Sequence, residues 1–172
     1  MKTCIVYLMR HGQTQDADAS SESFLQEAAV RDLKDVGLVF RKRRISCVYT
    51  SPALCAVETA QAITYFQDVD ISFNSKLADV PEECTQEELE TLQKSVSTFL
   101  RELCVKHNGE RICLVSHKLV LQILMADILL LPLTRLKELE VRHGTVSIVR
   151  YDGEIELKHM DCPVNAQDAV FS

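Results

Sequence analysis

Two short segments hold the side chains best suited to chemistry. Arg10-His11-Gly12-Gln13-Thr14 follows the apolar run Cys4-Ile5-Val6-Tyr7-Leu8-Met9, and Ser116-His117-Lys118 follows the strand-like residues 111–115. Each delivers an imidazole at the end of an apolar strand. A neutral imidazole can attack phosphorus, and fixed positive charge can stabilise the nonbridging oxygens of the group in transit. His11 is therefore the candidate nucleophile and His117 its partner. Arg10 is the candidate oxyanion clamp, since a planar guanidinium fork matches phosphate better than an ammonium does. Thr14 supplies either a hydroxyl donor or a loop cap, and Ser116 another hydroxyl at the phosphate.

Bringing these groups together requires parallel strands that end at one rim. Residues 4–9 read as a buried central strand stopped at Gly12 by a tight turn, and ligands of open α/β sheets gather at such carboxyl ends. Residues 15–23 are polar and read as a loop at the pocket mouth. Leu25, Ala28, Ala29, Leu33, Val36 and Val39 then fall near a period of 3.6, which predicts a helix ending near Phe40. A second strand over 45–49 closes on Thr50-Ser51-Pro52, where a hydroxyl and a proline open a helix running to about Phe66.

Residues 69–73 form a short strand and 77–85 an irregular segment around Pro81. Leu89, Leu92, Val96, Phe99, Leu100 and Leu103 mark a long helix over 86–107, terminated by Asn108-Gly109. Strand 111–115, helix 119–130 and a hairpin of 141–151 with 154–158 about Asp152-Gly153 complete the order. The alternation predicts a three-layer α/β fold: a mainly parallel sheet, helices on both faces, and an antiparallel edge hairpin. The size suits one domain over residues 1–172. A second triplet, Arg142-His143-Gly144, precedes a strand instead of ending one, so it is expected on the opposite rim with a structural role.

A strand followed by Arg-His-Gly-x-Thr resembles the histidine phosphatase superfamily, the phosphoglycerate-mutase-like proteins, and the likeness extends over most of the chain. It implies that His11 is the nucleophile. The family's second histidine follows a strand in a Ser-His-Gly context and contacts the phosphoryl oxygens, which corresponds to Ser116-His117 with Lys118 in the place of glycine. Family members also carry a second phosphate-binding arginine in a pattern like S-P-x-x-R-A-x-Q-T-A. This chain reads Ser51-Pro52-Ala53-Leu54-Cys55-Ala56-Val57-Glu58-Thr59-Ala60, with Cys55 where the arginine should be. Losing one fixed guanidinium from a dry site costs about 3 kcal/mol of transition-state stabilisation, roughly a hundredfold in rate. Ala17 stands where mutase-like members often have asparagine. Lys118 either returns positive charge to the pocket or is a solvated lysine at a helix start.

For the proton donor, Leu77-Ala78-Asp79 resembles the family's Leu-x-Glu pattern, with Glu82 and Glu83 as competitors. The chain's small size resembles the phosphohistidine phosphatase branch, which manages without a dedicated acid, whereas Gln13-Thr14 leans toward the small-metabolite phosphatases. The resemblance implies a phosphatase acting on a phosphomonoester or phosphohistidine through a phosphohistidine on His11, with no cofactor. A degenerate, noncatalytic member that binds a phosphorylated ligand or partner is the alternative; a mutase, which needs longer insertions, is less expected.

Composition narrows the partners. A net charge of −6 argues against nonspecific nucleic-acid binding, which depends on clustered Lys and Arg. The one basic run, Arg41-Lys42-Arg43-Arg44, reads as a solvated helix end away from the pocket. The expected partner is a small phosphorylated molecule or a phosphoprotein. Residues 119–131 are too short for a bilayer and contain Gln122 and Asp127, so no membrane association is expected. Seven cysteines without a C-x-x-C pair read as core residues of a reducing compartment, and no signal-peptide pattern opens the chain, so a cytoplasmic location is the default. The histidines show no H-x-H or H-x-x-x-H spacing and the cysteines no cluster, which indicates no metal. Cys55 lacks the following arginine of a cysteine-phosphatase cradle, although a helix N-terminus could depress its pKa.

Overall fold

The computed structural model describes residues 2–16 and 22–164. In chain order its elements are β1 (Cys4–Arg10), α1 (Glu27–Arg43), β2 (Cys47–Thr50), α2 (Leu54–Ile63), β3 (Asp70–Phe73), α3 (Gln86–Lys106), β4 (Arg111–Ser116), α4 (Lys118–Ile128), β5 (Val146–Tyr151) and β6 (Ile155–Cys162), with 3₁₀ turns at Ser75–Leu77 and Leu133–Glu138. The extended backbone sends alternate side chains to opposite faces, and the central strands bury both. Cys4, Val6 and Leu8 of β1, with Ile112 and Leu114 of β4, enter a core covered by α3 and α4. Tyr7 and Met9, with Cys113 and Val115, enter a second core covered by α1 and α2. Phe40, fully buried near the end of α1, contributes about 2–3 kcal/mol to that second core.

The described strands form one six-stranded sheet in the order β3-β2-β4-β1-β5-β6. β1, β4, β2 and β3 run parallel, while β5 is antiparallel to both β1 and β6. The architecture is thus the α/β sheet with helices on both faces and an antiparallel edge hairpin. β4 inserts between β1 and β2, so two strands that are consecutive in sequence are not neighbours in the sheet.

Helix boundaries follow local chemistry. α3 begins at a capping box, in which Thr85 Oγ1 accepts from the Glu88 N–H and the Glu88 carboxylate accepts from the Thr85 N–H. α1 ends in Arg41, Lys42 and Arg43, where cations complement the helix dipole, and Arg44 takes a left-handed φ of 55°. α1 and α2 approach closely at Gly37, where a Cβ would stand 2.5 Å from the Ile63 carbonyl oxygen.

The second helix is shorter than its sequence suggests. It starts at Leu54 after Ala53, not at Ser51-Pro52, and stops at Ile63 rather than Phe66. Ser51 does accept from the Ala53 N–H at 3.2 Å, but its hydroxyl also faces a histidine ring across the sheet. Ala17 and most of the polar stretch before α1 lie outside the described residues. No helix among the described residues is long and apolar enough to cross a membrane.

Candidate active site

Strand register builds the site. Arg10 of β1 is level with Ser116 of β4, and Thr50 of β2 is level with Val115. The residues that follow are tied across the same rim: the His11 N–H donates to the Ser116 carbonyl at 3.1 Å, and the Ser51 N–H to the Val115 carbonyl at 2.9 Å. The turn after β1 is fixed from below, where the Gly12 N–H donates to Thr59 Oγ1 at 2.9 Å. A Cβ on Gly12 would come within 2.8 Å of Leu33 Cδ1, so glycine lets the turn settle onto α1.

His11 and His117 meet with ring centroids 5.1 Å apart, both 4% exposed. His11 Nδ1 lies 2.8 Å from the Gly12 carbonyl oxygen; with the proton on Nδ1 donated there, Nε2 keeps its lone pair for the cleft. Burial above all, with smaller contributions from His117, His143 and Arg10, pushes the His11 pKa down from 6.5 to about 3, against the opposing pull of the Gly12 carbonyl. His117 is also held below its ordinary value, by burial above all and by Arg10, with Asp79 acting the other way. Both rings are neutral near pH 7. His117 Nε2 is 2.8 Å from Ser51 Oγ, and Nδ1 is 3.7 Å from Asp79 Oδ2. Since Ser51 Oγ accepts from Ala53, its proton can go to His117 Nε2, leaving the Nδ1 proton on the side of Asp79.

Arg10 donates from Nη1 to the Val141 carbonyl at 2.7 Å, while its buried Nε has no hydrogen-bond partner among the described residues. Cys55 occupies the first turn of α2, 1% exposed, with a ligand atom within 4.8 Å of those of His11 and His117. Burial raises its thiol pKa, so the thiol is neutral in the absence of a ligand. A cleft of about 730 Å³ opens over this group and includes Arg10, His11, Asp79, His117 and Lys118 in its wall. A neighbouring cleft of about 670 Å³ adds Gln13, Arg142 and His143.

A profile of the histidine phosphatase superfamily, branch 1, matches residues 6–81 and 71–161. The chain belongs to that superfamily. A comparison with curated protein sequences finds no significant match. Among solved structures, the chain is similar to YhfR of Bacillus stearothermophilus, with a TM-score of 0.81 and 20% identity over 98% of this chain and 100% of that one. It is also similar to the phosphoserine phosphatase of Entamoeba histolytica in complex with 3-phosphoglyceric acid (TM-score 0.78, 16% identity, 94% of this chain and 98% of that one). The alpha-ribazole phosphatase of Shigella flexneri gives a TM-score of 0.76 at 15% identity, over 95% of this chain and 100% of that one. At these identities the likeness is one of fold.

Within this histidine phosphatase fold, the residues expected at the site divide. Arg10, His11, His117 and Cys55 converge. Asp79 is the carboxylate beside His117, whereas Glu82 and Glu83 lie farther along the same cleft wall, exposed. Lys118 begins α4 and is exposed at the mouth, lining both clefts.

Two hydroxyls expected at the phosphate are committed elsewhere. Thr14 Oγ1 donates to the Asp16 carbonyl at 2.9 Å and so shapes the loop. Ser116 Oγ donates to the buried Leu77 carbonyl at 2.7 Å, which anchors the segment carrying Asp79.

The largest correction concerns His143. It stands beside His11, ring centroids 5.2 Å apart, with Nδ1 3.2 Å from the His11 carbonyl oxygen. The Gly144 N–H reaches the Arg10 carbonyl at 3.1 Å. The reason is strand direction: β5 is antiparallel to β1 and pairs Val146 with Met9, so residues before β5 lie at the rim where β1 ends. Ser51 lies on the rim where its strand end is expected, but its contact with His117 and the hold of Thr59 on the Gly12 turn are not legible in the sequence beyond the preserved Ser-Pro and Thr-Ala frame around Cys55.

Proposed function

We propose that the protein is a phosphatase that acts on a phosphomonoester or phosphohistidine through a phosphohistidine on His11. The observation that carries this reading is the spacing of the two buried neutral imidazoles, 5.1 Å between ring centroids, beside a guanidinium whose Nε has no partner among the described residues. His11 Nε2 attacks phosphorus and the bond to the leaving oxygen breaks. Arg10 donates to the nonbridging oxygens, and His117 presents an N–H to the same group. Asp79, half-exposed in the cleft beside His117, gives a proton to the leaving oxygen and takes one back from the water that attacks in the second step. Water then cleaves phospho-His11 and returns the phosphoryl group as inorganic phosphate. Lys118 and Lys137 at the mouth draw an anionic substrate toward a chain of net charge −6, which suits a small phosphorylated molecule or a phosphoprotein.

One observation favours a second reading, a noncatalytic member that binds a phosphorylated ligand. Cys55 brings a neutral thiol to the place where the family resemblance implies a guanidinium. Rapid quench of the protein with a panel of phosphomonoesters, sugar phosphates and a phosphohistidine peptide, followed by mass spectrometry under conditions that preserve phosphoramidates, decides between them. Phosphate on His11 with release of inorganic phosphate is expected, absent from His11→Ala. Saturable binding of phosphorylated ligand with neither product would establish the second reading instead.

A further inference from the structure

We propose that His11, Cys55 and His117 form a binding site for one zinc-class divalent ion, and that the bound ion silences the phosphate pocket. Each of the three offers one ligand atom, and these atoms lie within 4.8 Å of one another. No other such trio of histidine, cysteine or carboxylate side chains occurs among the described residues. All three are buried, which removes competition from bulk water.

The donor set selects the ion. Two imidazoles and a thiolate match a borderline-soft cation, whereas magnesium and calcium require oxygen. In a tetrahedral zinc site, bonds of about 2.0–2.3 Å put neighbouring ligand atoms about 3.4–3.6 Å apart. The trio must therefore close by about 1 Å, a side-chain rotation on fixed strand ends. The supporting groups need one change, a shift of the His117 proton from Nδ1 to Nε2, which then donates to Ser51 Oγ at 2.8 Å and leaves Nδ1 free for the ion. The Gly12 carbonyl holds His11 Nδ1 at 2.8 Å and aims the other nitrogen inward, as ligand histidines require. Cys55 sits in the first turn of α2, where backbone N–H groups partly offset the burial that disfavours its thiolate. Asp79, with a carboxylate oxygen 3.7 Å from His117, can fill the fourth position or orient a water there.

Arg10 opposes a cation, but its Nη1 is tied to the Val141 carbonyl at 2.7 Å, and the thiolate and Asp79 offset the added charge. On binding, the Cys55 S–H bond breaks, its proton goes to solvent, the S–metal bond forms and the ion sheds water; nothing is oxidised or reduced. The substitution that removes a guanidinium from this pocket is thus the one that supplies the thiolate. With its lone pair on the ion, His11 cannot attack phosphorus. That consequence rests on the phosphatase reading, whereas the binding does not.

The test is titration of the chelator-treated full chain with cobalt(II) as an optical stand-in for zinc. One equivalent is expected to give tetrahedral d–d bands and a thiolate-to-cobalt charge-transfer band, and zinc should displace the cobalt. The charge-transfer band should vanish in Cys55→Ser and survive in Cys84→Ser/Cys162→Ser, which removes the less buried thiols. His11→Ala and His117→Ala, checked for fold by circular dichroism, should each weaken affinity at least about tenfold. Absence of the charge-transfer band, its survival in Cys55→Ser, or its loss with Cys84 and Cys162 would overturn the site. Turnover untouched at full zinc occupancy would overturn the silencing. A chain that shows the band but hydrolyses no phosphoester keeps the metal site and loses the phosphatase reading; hydrolysis without the band does the reverse.

Discussion

Replacing His11 with asparagine is expected to make the protein more tolerant of acid while abolishing its catalysis. In the fold, burial and the neighbours His117, His143 and Arg10 hold the His11 pKa at about 3. In the unfolded chain the same imidazole titrates near 6.5. Between those values the unfolded state binds a proton that the folded state refuses, so stability falls as pH drops through the window and is fully present only above about 6.5. Linkage puts the loss from this one side chain at about 2 kcal/mol between pH 7 and pH 5. Asparagine at position 11 carries no such proton.

The quantity to measure is a double difference: the unfolding free energies of wild type and His11→Asn, each at pH 7 and pH 5, from urea titrations. His117 and His143 are also held low, burial being the main cause, but they occur in both proteins and largely cancel. For a chain of 172 residues the expected 2 kcal/mol corresponds to about 4–8 °C in Tm, or about 1 M in urea midpoint, well above experimental error. A double difference near zero would mean that His11 charges inside the fold at pH 5. Burial would then not be what keeps the nucleophile neutral.

Four further substitutions probe the site. Cys55→Arg should raise kcat/KM or phosphate affinity by at least about tenfold, because a second guanidinium would face the oxygens that Arg10 faces; if Lys118 has taken over that role, Lys118→Ala will cost much beside Cys55 and little beside the new arginine. His143→Ala removes the ring whose Nδ1 lies 3.2 Å from the His11 carbonyl, and should lower kcat/KM about tenfold, the worth of roughly one hydrogen bond, with no comparable change in urea midpoint. Ser116→Ala leaves the buried Leu77 carbonyl without its donor, so it should cost about 1–3 kcal/mol in stability by urea unfolding and loosen Asp79; an unchanged unfolding midpoint would show that the bond does not brace that segment.

What could be read from the sequence was whatever local periodicity and strand ends encode. The apolar run before Arg10 had to be a strand buried on both faces, and its Gly12 had to end it. The alternation of strands and helices then required parallel neighbours, so His11, Ser51 and His117 could be placed on one rim without coordinates. Sheet order is a different kind of information. That β4 inserts between β1 and β2 depends on which packing buries most surface, and no short segment reports it. Side-chain direction at a loop is equally hidden: a hydroxyl at position 14 or 116 was visible, but not the carbonyl of Asp16 or Leu77 that would claim it.

His143 is the instructive case, because its signal was present and was read under the wrong rule. A triplet that precedes a strand lies on the opposite rim only if that strand is parallel to the first. The Asp152-Gly153 turn already required an antiparallel hairpin, and if β5 is the hairpin strand that pairs with β1 in reverse, its beginning must lie where β1 ends. The same reasoning explains the trio of His11, Cys55 and His117. A spacing rule finds ligands that share one helix or one turn, whereas these come from the end of β1, the first turn of α2 and the end of β4, positions separated by more than forty residues at each step. Strand register, Arg10 level with Ser116 and Thr50 level with Val115, turns those separations into a few ångströms. A change at position 55 therefore acts on the nucleophile although nothing in the local sequence connects the two, and its chemical meaning, lost phosphate clamp or gained thiolate ligand, follows from the sheet and not from the motif that contains it.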